Sequence, residues 1–339
     1  MTTSPLLQVK DLATHFVSAR GTRVVRAVNE VSFDLDAGET LGIVGESGSG
    51  KTTLALSLLR LLPPAARIVS GEILFEGDDL LKKSDVEMRR IRGKRIAMIL
   101  QDPMASLNPL FTIGDQVAEP IRVHEHAKRG TAWTKARDLL KAVRISAPET
   151  RVNEYPHQMS GGMRQRIVGA IAISCEPALL IADEPTTSLD VTIQAQYLRL
   201  LRDLQRAHHL ALIFITHNLG IVAKMCDYVA VMYAGRIVEL GRVRQIFNAP
   251  VHPYTEALLA SIPRLTDPSQ RLTAIEGQPP DLAAPPQGCA FHPRCPKVMP
   301  RCREEDPPGF SAAERHTARC WLQGSPVSVA SPVRRVVSG

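Results

Sequence analysis

Residues 45–52 read G-E-S-G-S-G-K-T. The apolar run Thr40–Val44 precedes them, and a helical pattern from about Lys51 to Leu62 follows, stopped by Pro63–Pro64. Strand, glycine loop and helix in that order are the context in which G-x-x-x-x-G-K-[ST] binds phosphate. The glycines let backbone N–H groups turn toward an anion, and the helix N-terminus adds its dipole. The loop therefore predicts nucleotide contacts from Gly45, Glu46, Ser47, Gly48, Ser49, Gly50, Lys51, Thr52 and Thr53. Lys51 is expected to bridge β- and γ-phosphate oxygens. Thr52 is expected to ligate Mg²⁺ through its hydroxyl, with Thr53 assisting.

The rest of the chain alternates strands and helices around that unit. Leu7 to Leu35 reads as strands with a hairpin turn near residues 20–22, and Gly71–Gly77 and Ile96–Leu100 are further strands. After a helix at 163–174 come strands at 179–183, 211–216 and 229–233, separated by a helix at about 191–208. Such alternation implies an α/β fold with a mostly parallel core sheet. From about Ser106 to Arg144 the pattern is helical, with an apolar stripe through Val117, Ile121, Leu139, Leu140 and Val143. It reads as part of an inserted helical subdomain over about 106–175. Composition shifts near 248: a helix Tyr254–Ser261 is followed by a proline-rich connector, Pro263 to Gly288, and a cysteine segment. The expected division is 5–250, 251–324 and a disordered tail over 325–339.

No apolar run approaches the roughly 18 residues needed to span a bilayer, and M-T-T-S-P-L-L-Q-V-K has no basic-then-apolar leader pattern. A cytosolic chain is expected, reaching any membrane through partners. The net charge is +7, with its densest basic run from Lys82 to Arg95. No aromatic residues interleave with those charges, so a solvated helical face explains them better than nucleic-acid binding. Cys175 and Cys226 lie in apolar segments and are expected to be buried.

Asp183 ends the apolar strand at 179–183, where a carboxylate can hold Mg²⁺ through water. Glu184 follows it, placed to serve as general base for an attacking water. His217 follows another strand end in the context I-T-H-N and is either structural or a γ-phosphate contact. His208 and His209 lie at a helix end and read as caps. Phe16, upstream of the loop, is a candidate for stacking on adenine and equally a candidate for the core.

Residues 159–166 read M-S-G-G-M-R-Q-R, upstream of L-L-I-A-D-E-P at 179–185. With Gly45–Thr52, Gln101, Ser188–Leu189–Asp190 and His217, this ordered set resembles the ABC (ATP-binding cassette) ATPases over residues 5–250. The resemblance implies a P-loop NTPase cassette with an N-terminal antiparallel β part and a helical subdomain, pairing head to tail with a second cassette. It implies that Ser160, Gly161 and Gly162 donate to the γ-phosphate held by the partner cassette, and that Ser188 to Asp190 cross the same interface. It also makes Gln101 the glutamine that senses Mg²⁺ and γ-phosphate, and His217 a catalytic contact.

The stretches Q-D-P-M-A-S-L-N-P (101–109), F-T-I-G-D-Q (111–116), H-P-Y-T (252–255) and G-C-A-F-H-P-R-C-P (288–296) narrow the resemblance to the oligopeptide/dipeptide and nickel importers. Met163, where many cassettes carry glutamine, resembles their D-type subunit rather than the F-type. The implied activity is ATP hydrolysis driving uptake of di- or oligopeptides. The implied partners are an F-type cassette, two transmembrane permeases and an extracytoplasmic peptide-binding protein, with no nucleic acid. The implied location is the cytoplasmic face of the plasma (inner) membrane. A nickel or glutathione importer is the alternative within transport, and a soluble ABC ATPase of translation or DNA repair the alternative outside it.

Cys289, Cys295, Cys302 and Cys320 follow C-x5-C-x6-C-x17-C, wider than the tight pairs of zinc ribbons. By spacing alone a [4Fe–4S] cluster, zinc and free thiols all remain open, and His292 and His316 keep zinc in play. The family resemblance implies the [4Fe–4S] cluster, in a structural or sensing role.

Overall fold

The computed structural model describes residues 4–19, 21–102, 106–187, 189–262 and 274–324. The expected tail at 325–339, the start of the connector, Ser188 and residues 103–105 lie outside them. In chain order the strands are β1 Leu7–Val17, β2 Val24–Leu35, β3 Thr40–Val44, β4 Ala66–Phe75, β5 Asp78–Asp79, β6 Ile96–Ile99, β7 Leu179–Asp183, β8 Ala211–Ile215, β9 Tyr228–Tyr233, β10 Arg236–Arg242, β11 Phe310–Ala313 and β12 His316–Ala318. Two compact units divide the chain: one is Met1–Asp36, Thr40–Leu81 and Ile215–Gly339, the other Ala37–Glu39 and Lys82–Phe214. Among the described residues no helix is long and apolar enough to cross a membrane.

In the first unit β2, β1, β4 and β5 form an antiparallel sheet, and β11, β12, β10, β9 and β3 run as neighbours in another. There β3 pairs in parallel with β9, whereas β9–β10 and β10–β12 are antiparallel. All five residues of β3 are buried, as expected of a strand covered on both faces. A core of Val44, Val229, Val231, Tyr233, Ile246, Tyr254 and Phe291 joins β3 and β9 to segments beyond residue 250, with Cys289 and Cys295 packed against it.

Two boundaries differ from the sequence expectation. The helix after the loop ends at Leu58, not near the prolines. Arg60 turns left-handed at φ 52 and Leu61 N–H donates back to Leu56 O at 2.9 Å, closing the helix before Pro63. Gly71 does not open a strand; it sits within β4, at a shift in the β1–β4 register. Its φ is +102, and a Cβ there would come within 2.6 Å of Leu12 Cα, so only glycine fits the bulge.

In the second unit β6 pairs in parallel with β7, and β8 lies on the other side of β7. The expected helical block resolves into Ile113–Glu125 and Arg129–Ala142, which pack on each other and on Gly161–Ile173. Val117, Ile121, Leu140 and Val143 are fully buried. Leu139 is only half-buried; Ala132 and Ala136 complete the stripe at helical spacing instead. The F-T-I-G-D-Q stretch is structural. Thr112 Oγ1 caps the helix by accepting from Asp115 N at 3.2 Å, and Gln116 closes a loop through Asn108 and Phe111. The basic run forms a short helix, Asp85–Ile91, opened by a Ser84–Glu87 capping box, with Arg89 and Arg90 exposed.

Candidate functional site

Gly45 and Gly50 make the phosphate loop possible. Their φ values are +153 and +102, and a Cβ would meet Met232 O at 2.2 Å and Ala27 O at 2.0 Å respectively. Both obstacles are backbone, so neither can move aside. Gly50→Ala is expected to destabilise the protein by about 3 kcal/mol or more, which thermal unfolding of the full chain measures. Ser47 and Gly48 are exposed at the tip. Ser49 is buried, and its carbonyl accepts from Gly235 N at 3.0 Å.

Lys51 is 7% exposed, and its ammonium donates to Gly45 O at 2.8 Å, Glu46 O at 2.9 Å and Ser49 Oγ at 3.4 Å. The loop curls around its own cation. Thr52 is exposed in the first helical turn and Thr53 half-buried behind it. Phe16 is half-buried on β1, opposite Val25 and Ala66. His217 is exposed on the turn between Thr216, whose N–H donates to Ile43 O at 3.2 Å, and Asn218, whose side chain caps the helix Leu219–Met225.

The second unit carries the carboxylates. Asp183 is the last residue of β7 and 1% exposed. Glu184 turns the chain away from the strand with φ +46. Its Oε2 accepts from Thr187 Oγ1 at 2.9 Å and from Gln101 Nε2 at 3.4 Å. The structure thus brings Gln101, which lies just past β6, onto the carboxylate expected to act as base. Ser160 caps the helix Gly161–Ile173 by accepting from Met163 N at 3.3 Å. Ser160 and Gly161 are exposed, and nothing lies within 4 Å of where a Cβ on Gly161 would stand. Gly162 is tighter, since a Cβ would come within 2.7 Å of Ile193 Cγ2. Asp190 serves the backbone. Its Oδ1 caps the helix Val191–His208 by accepting from Thr192 N and Ile193 N at 3.1 and 2.9 Å. His209 closes the same helix in a left-handed turn.

The four C-terminal cysteines converge. Cys289, Cys295, Cys302 and Cys320 line one pocket with His252, Phe291, His292, Lys297 and Trp321. None of the four is in a disulfide. Burial pushes the Cys289 thiol up to about 12 and that of Cys320 to about 11. Among the described residues no three His, Cys, Asp or Glu side chains stand close enough to hold a single metal ion. His316 is occupied elsewhere, its Nε2 at 2.8 Å from Glu239 Oε1. Cys175 and Cys226 are half-buried rather than buried; Cys226 packs against the core, within 2.9 Å of where a Cβ on Gly42 would lie.

The H-P-Y-T stretch reaches the nucleotide loop. Val251 and His252 N–H groups donate to the buried Glu239 carboxylate at 3.0 and 2.9 Å, and His252 Nδ1 caps the next helix by accepting from Tyr254 N at 3.0 Å. Burial lowers the His252 pKa to about 4, which keeps the ring neutral and able to accept. Tyr254 Oη then accepts from Glu46 N at 3.0 Å.

Residues 28–187 match the ABC transporter family, and residues 238–302 match the oligopeptide/dipeptide transporter C-terminal region. A probable peptide ABC transporter ATP-binding protein of Sinorhizobium fredii is 51% identical over 96% of this chain and 97% of its own length. The chain belongs to the ABC transporter ATP-binding proteins. As a member it is an ATP-hydrolysing subunit. The oligopeptide transport ATP-binding protein OppD of Bacillus subtilis is 52% identical, covering 94% of this chain and 88% of that protein. The dipeptide transport ATP-binding protein DppD of Escherichia coli is 45% identical, covering 93% and 96%. Among solved structures, cbiO1 of Clostridium perfringens, part of an ABC transporter complex, has a TM-score of 0.61 at 26% identity, covering 72% of this chain and 91% of that one. A dimeric cassette bound to ADP and phosphate has a TM-score of 0.63 at 24% identity, covering 70% and 99%, and shares the fold.

Proposed function

We propose that this cassette is the ATPase of an importer for di- or oligopeptides, working as the D-type half of a pair with an F-type cassette. The observation that carries the reading is the match of residues 238–302 to the oligopeptide/dipeptide transporter C-terminal region, alongside relatives whose names specify peptide transport over nearly the whole chain. The cassette docks on two permeases at the cytoplasmic face of the membrane, fed by an extracytoplasmic binding protein. Lys51 engages the β- and γ-phosphates, Thr52 and Asp183 hold Mg²⁺, and Gln101 senses it. Glu184 takes the proton of the attacking water, with His217 positioning the γ-phosphate and Phe16 stacking on adenine. Ser160, Gly161 and Gly162 serve the nucleotide of the partner cassette, and Ser188 to Asp190 cross the same interface. In the assembled transporter, binding protein loaded with peptide is expected to stimulate ATP hydrolysis. Stimulation only by nickel or glutathione would move the assignment to those importers.

Cys289, Cys295, Cys302 and Cys320 together hold a [4Fe–4S] cluster. Four thiols in one largely apolar pocket are a soft donor set suited to it. When bound, the cluster supplies a cross-link between the loop at 289–302 and Cys320. Protein purified anaerobically is expected to be brown and to contain about four irons per chain. Colourless protein with stoichiometric zinc would exclude the cluster.

A further inference from the structure

Glu46, the second residue of the phosphate loop, is held at every polar point. Its N–H donates to Tyr254 Oη at 3.0 Å, and its carbonyl accepts from Lys51 Nζ at 2.9 Å. Both carboxylate oxygens accept from Arg294, Oε2 from Nη1 at 2.7 Å and Oε1 from Nη2 at 3.0 Å. Arg294 immediately precedes Cys295, and its side chain is 4% exposed. Its remaining donors are also used. Nε donates to Glu276 O at 2.9 Å, Nη2 to Ile275 O at 3.3 Å and Nη1 to Tyr233 Oη at 3.3 Å. Beneath it, Tyr233, Tyr254 and Phe291 pack ring on ring, with centroids 4.5 to 5.3 Å apart.

A planar guanidinium forked onto a carboxylate fixes orientation as well as distance. The joint also answers an electrostatic problem. A carboxylate carried on a phosphate-binding loop opposes a polyphosphate unless a cation cancels it. That cation comes from the cysteine segment. Arg294 N–H donates to Phe291 O at 3.0 Å and Cys295 N–H to His292 O at 3.3 Å, so the turn that sets Cys295 also sets Arg294.

We infer that Arg294 is a positioning residue for nucleotide. It neutralises Glu46 and locks the phosphate loop, and through it the order of the four-cysteine segment sets nucleotide affinity. The inference rests on residues 45–53 being the nucleotide loop.

The test is calorimetric titration of the full chain with MgATP, with melting curves for each variant. Arg294→Ala is expected to raise Kd about tenfold, the equivalent of one lost charge-assisted contact. In the assembled transporter KM rises accordingly while kcat stays within about twofold. Adding Glu46→Gln to Arg294→Ala removes the uncancelled charge and should bring Kd back to within about threefold of wild type. Arg294→Lys restores charge without the fork and should fall between. Cys295→Ser should raise Kd in the same direction, and its effect should not add to that of Arg294→Ala. Glu46→Ala, on the more exposed partner, removes the joint without emptying the buried pocket, and should raise Kd about threefold even where Arg294→Ala does not fold. Wild-type Kd in Arg294→Ala or in Glu46→Ala overturns the inference, and wild-type Kd in Cys295→Ser overturns the link to the cysteines. A wild-type chain that binds no MgATP overturns the nucleotide reading instead.

Discussion

Replacing Glu184 by Gln is expected to leave MgATP binding intact and to lower steady-state turnover by about 10²- to 10⁴-fold, the range supplied by a positioned general base. The substitution keeps the shape of the side chain. A glutamine carbonyl can still accept from Thr187 Oγ1, which holds Glu184 Oε2 at 2.9 Å. The left-handed turn at φ +46 belongs to the backbone and is already tolerated by a non-glycine residue. The amide differs in having no lone pair basic enough to take a proton from water. Phosphate release by the assembled transporter, measured beside equilibrium nucleotide binding, separates the two effects. Hydrolysis at the wild-type rate would remove Glu184 as the base. Gln101→Ala is a useful companion, because its Nε2 reaches Glu184 at 3.4 Å. Its loss should slow turnover by far less, since it removes a long contact and not the base.

The second large effect is expected at Lys51. Lys51→Ala should weaken MgATP binding by about 10²-fold or more, the scale of losing a buried, hydrogen-bonded charge opposite an anion, about 2–5 kcal/mol. The ammonium ties the carbonyls of Gly45 and Glu46 and the Ser49 hydroxyl into one curl, and in the proposed role its donors would also serve phosphate oxygens. Alanine loses both, so a drop in thermal stability should accompany the loss of affinity. Lys51→Arg should not recover binding. The position is 7% exposed, and a planar fork cannot take the place of a compact ammonium inside so narrow a loop. Nucleotide affinity near wild type in Lys51→Ala would assign phosphate binding elsewhere.

Much of this molecule follows from local rules. The strand–loop–helix at 40–58 is legible because Gly45, Gly50 and Lys51 answer one local demand, a backbone that can turn its N–H groups toward phosphate. The helix Val191–His208 falls where its apolar periodicity places it, with Asp190 as its cap. The helix expected from Met163 begins two residues earlier, at Gly161, because Ser160 caps it. Leu139, Gly71 and the end of the first helix depart from local expectation for a shared reason. Each depends on which neighbour arrives: Ala132 and Ala136 in the helical stripe, the backbone of Leu12 at the bulge, the Leu61–Leu56 closure after Leu58.

Contacts between residues hundreds of positions apart carry no periodic or positional signal. In the sequence Glu46 is one more member of the phosphate loop. That its carboxylate meets Arg294, 248 positions away, follows from β3 and β9 bringing Tyr233, Tyr254 and Phe291 into one core. The cysteine spacing leaves three chemistries open, and convergence on one pocket comes from the fold. Residue type and spacing thus settle which backbone shapes and which chemistry are available, because those depend on interactions within a few residues. Packing across the sheet settles which distant side chains meet, because burial and hydrogen-bond satisfaction are properties of the whole core.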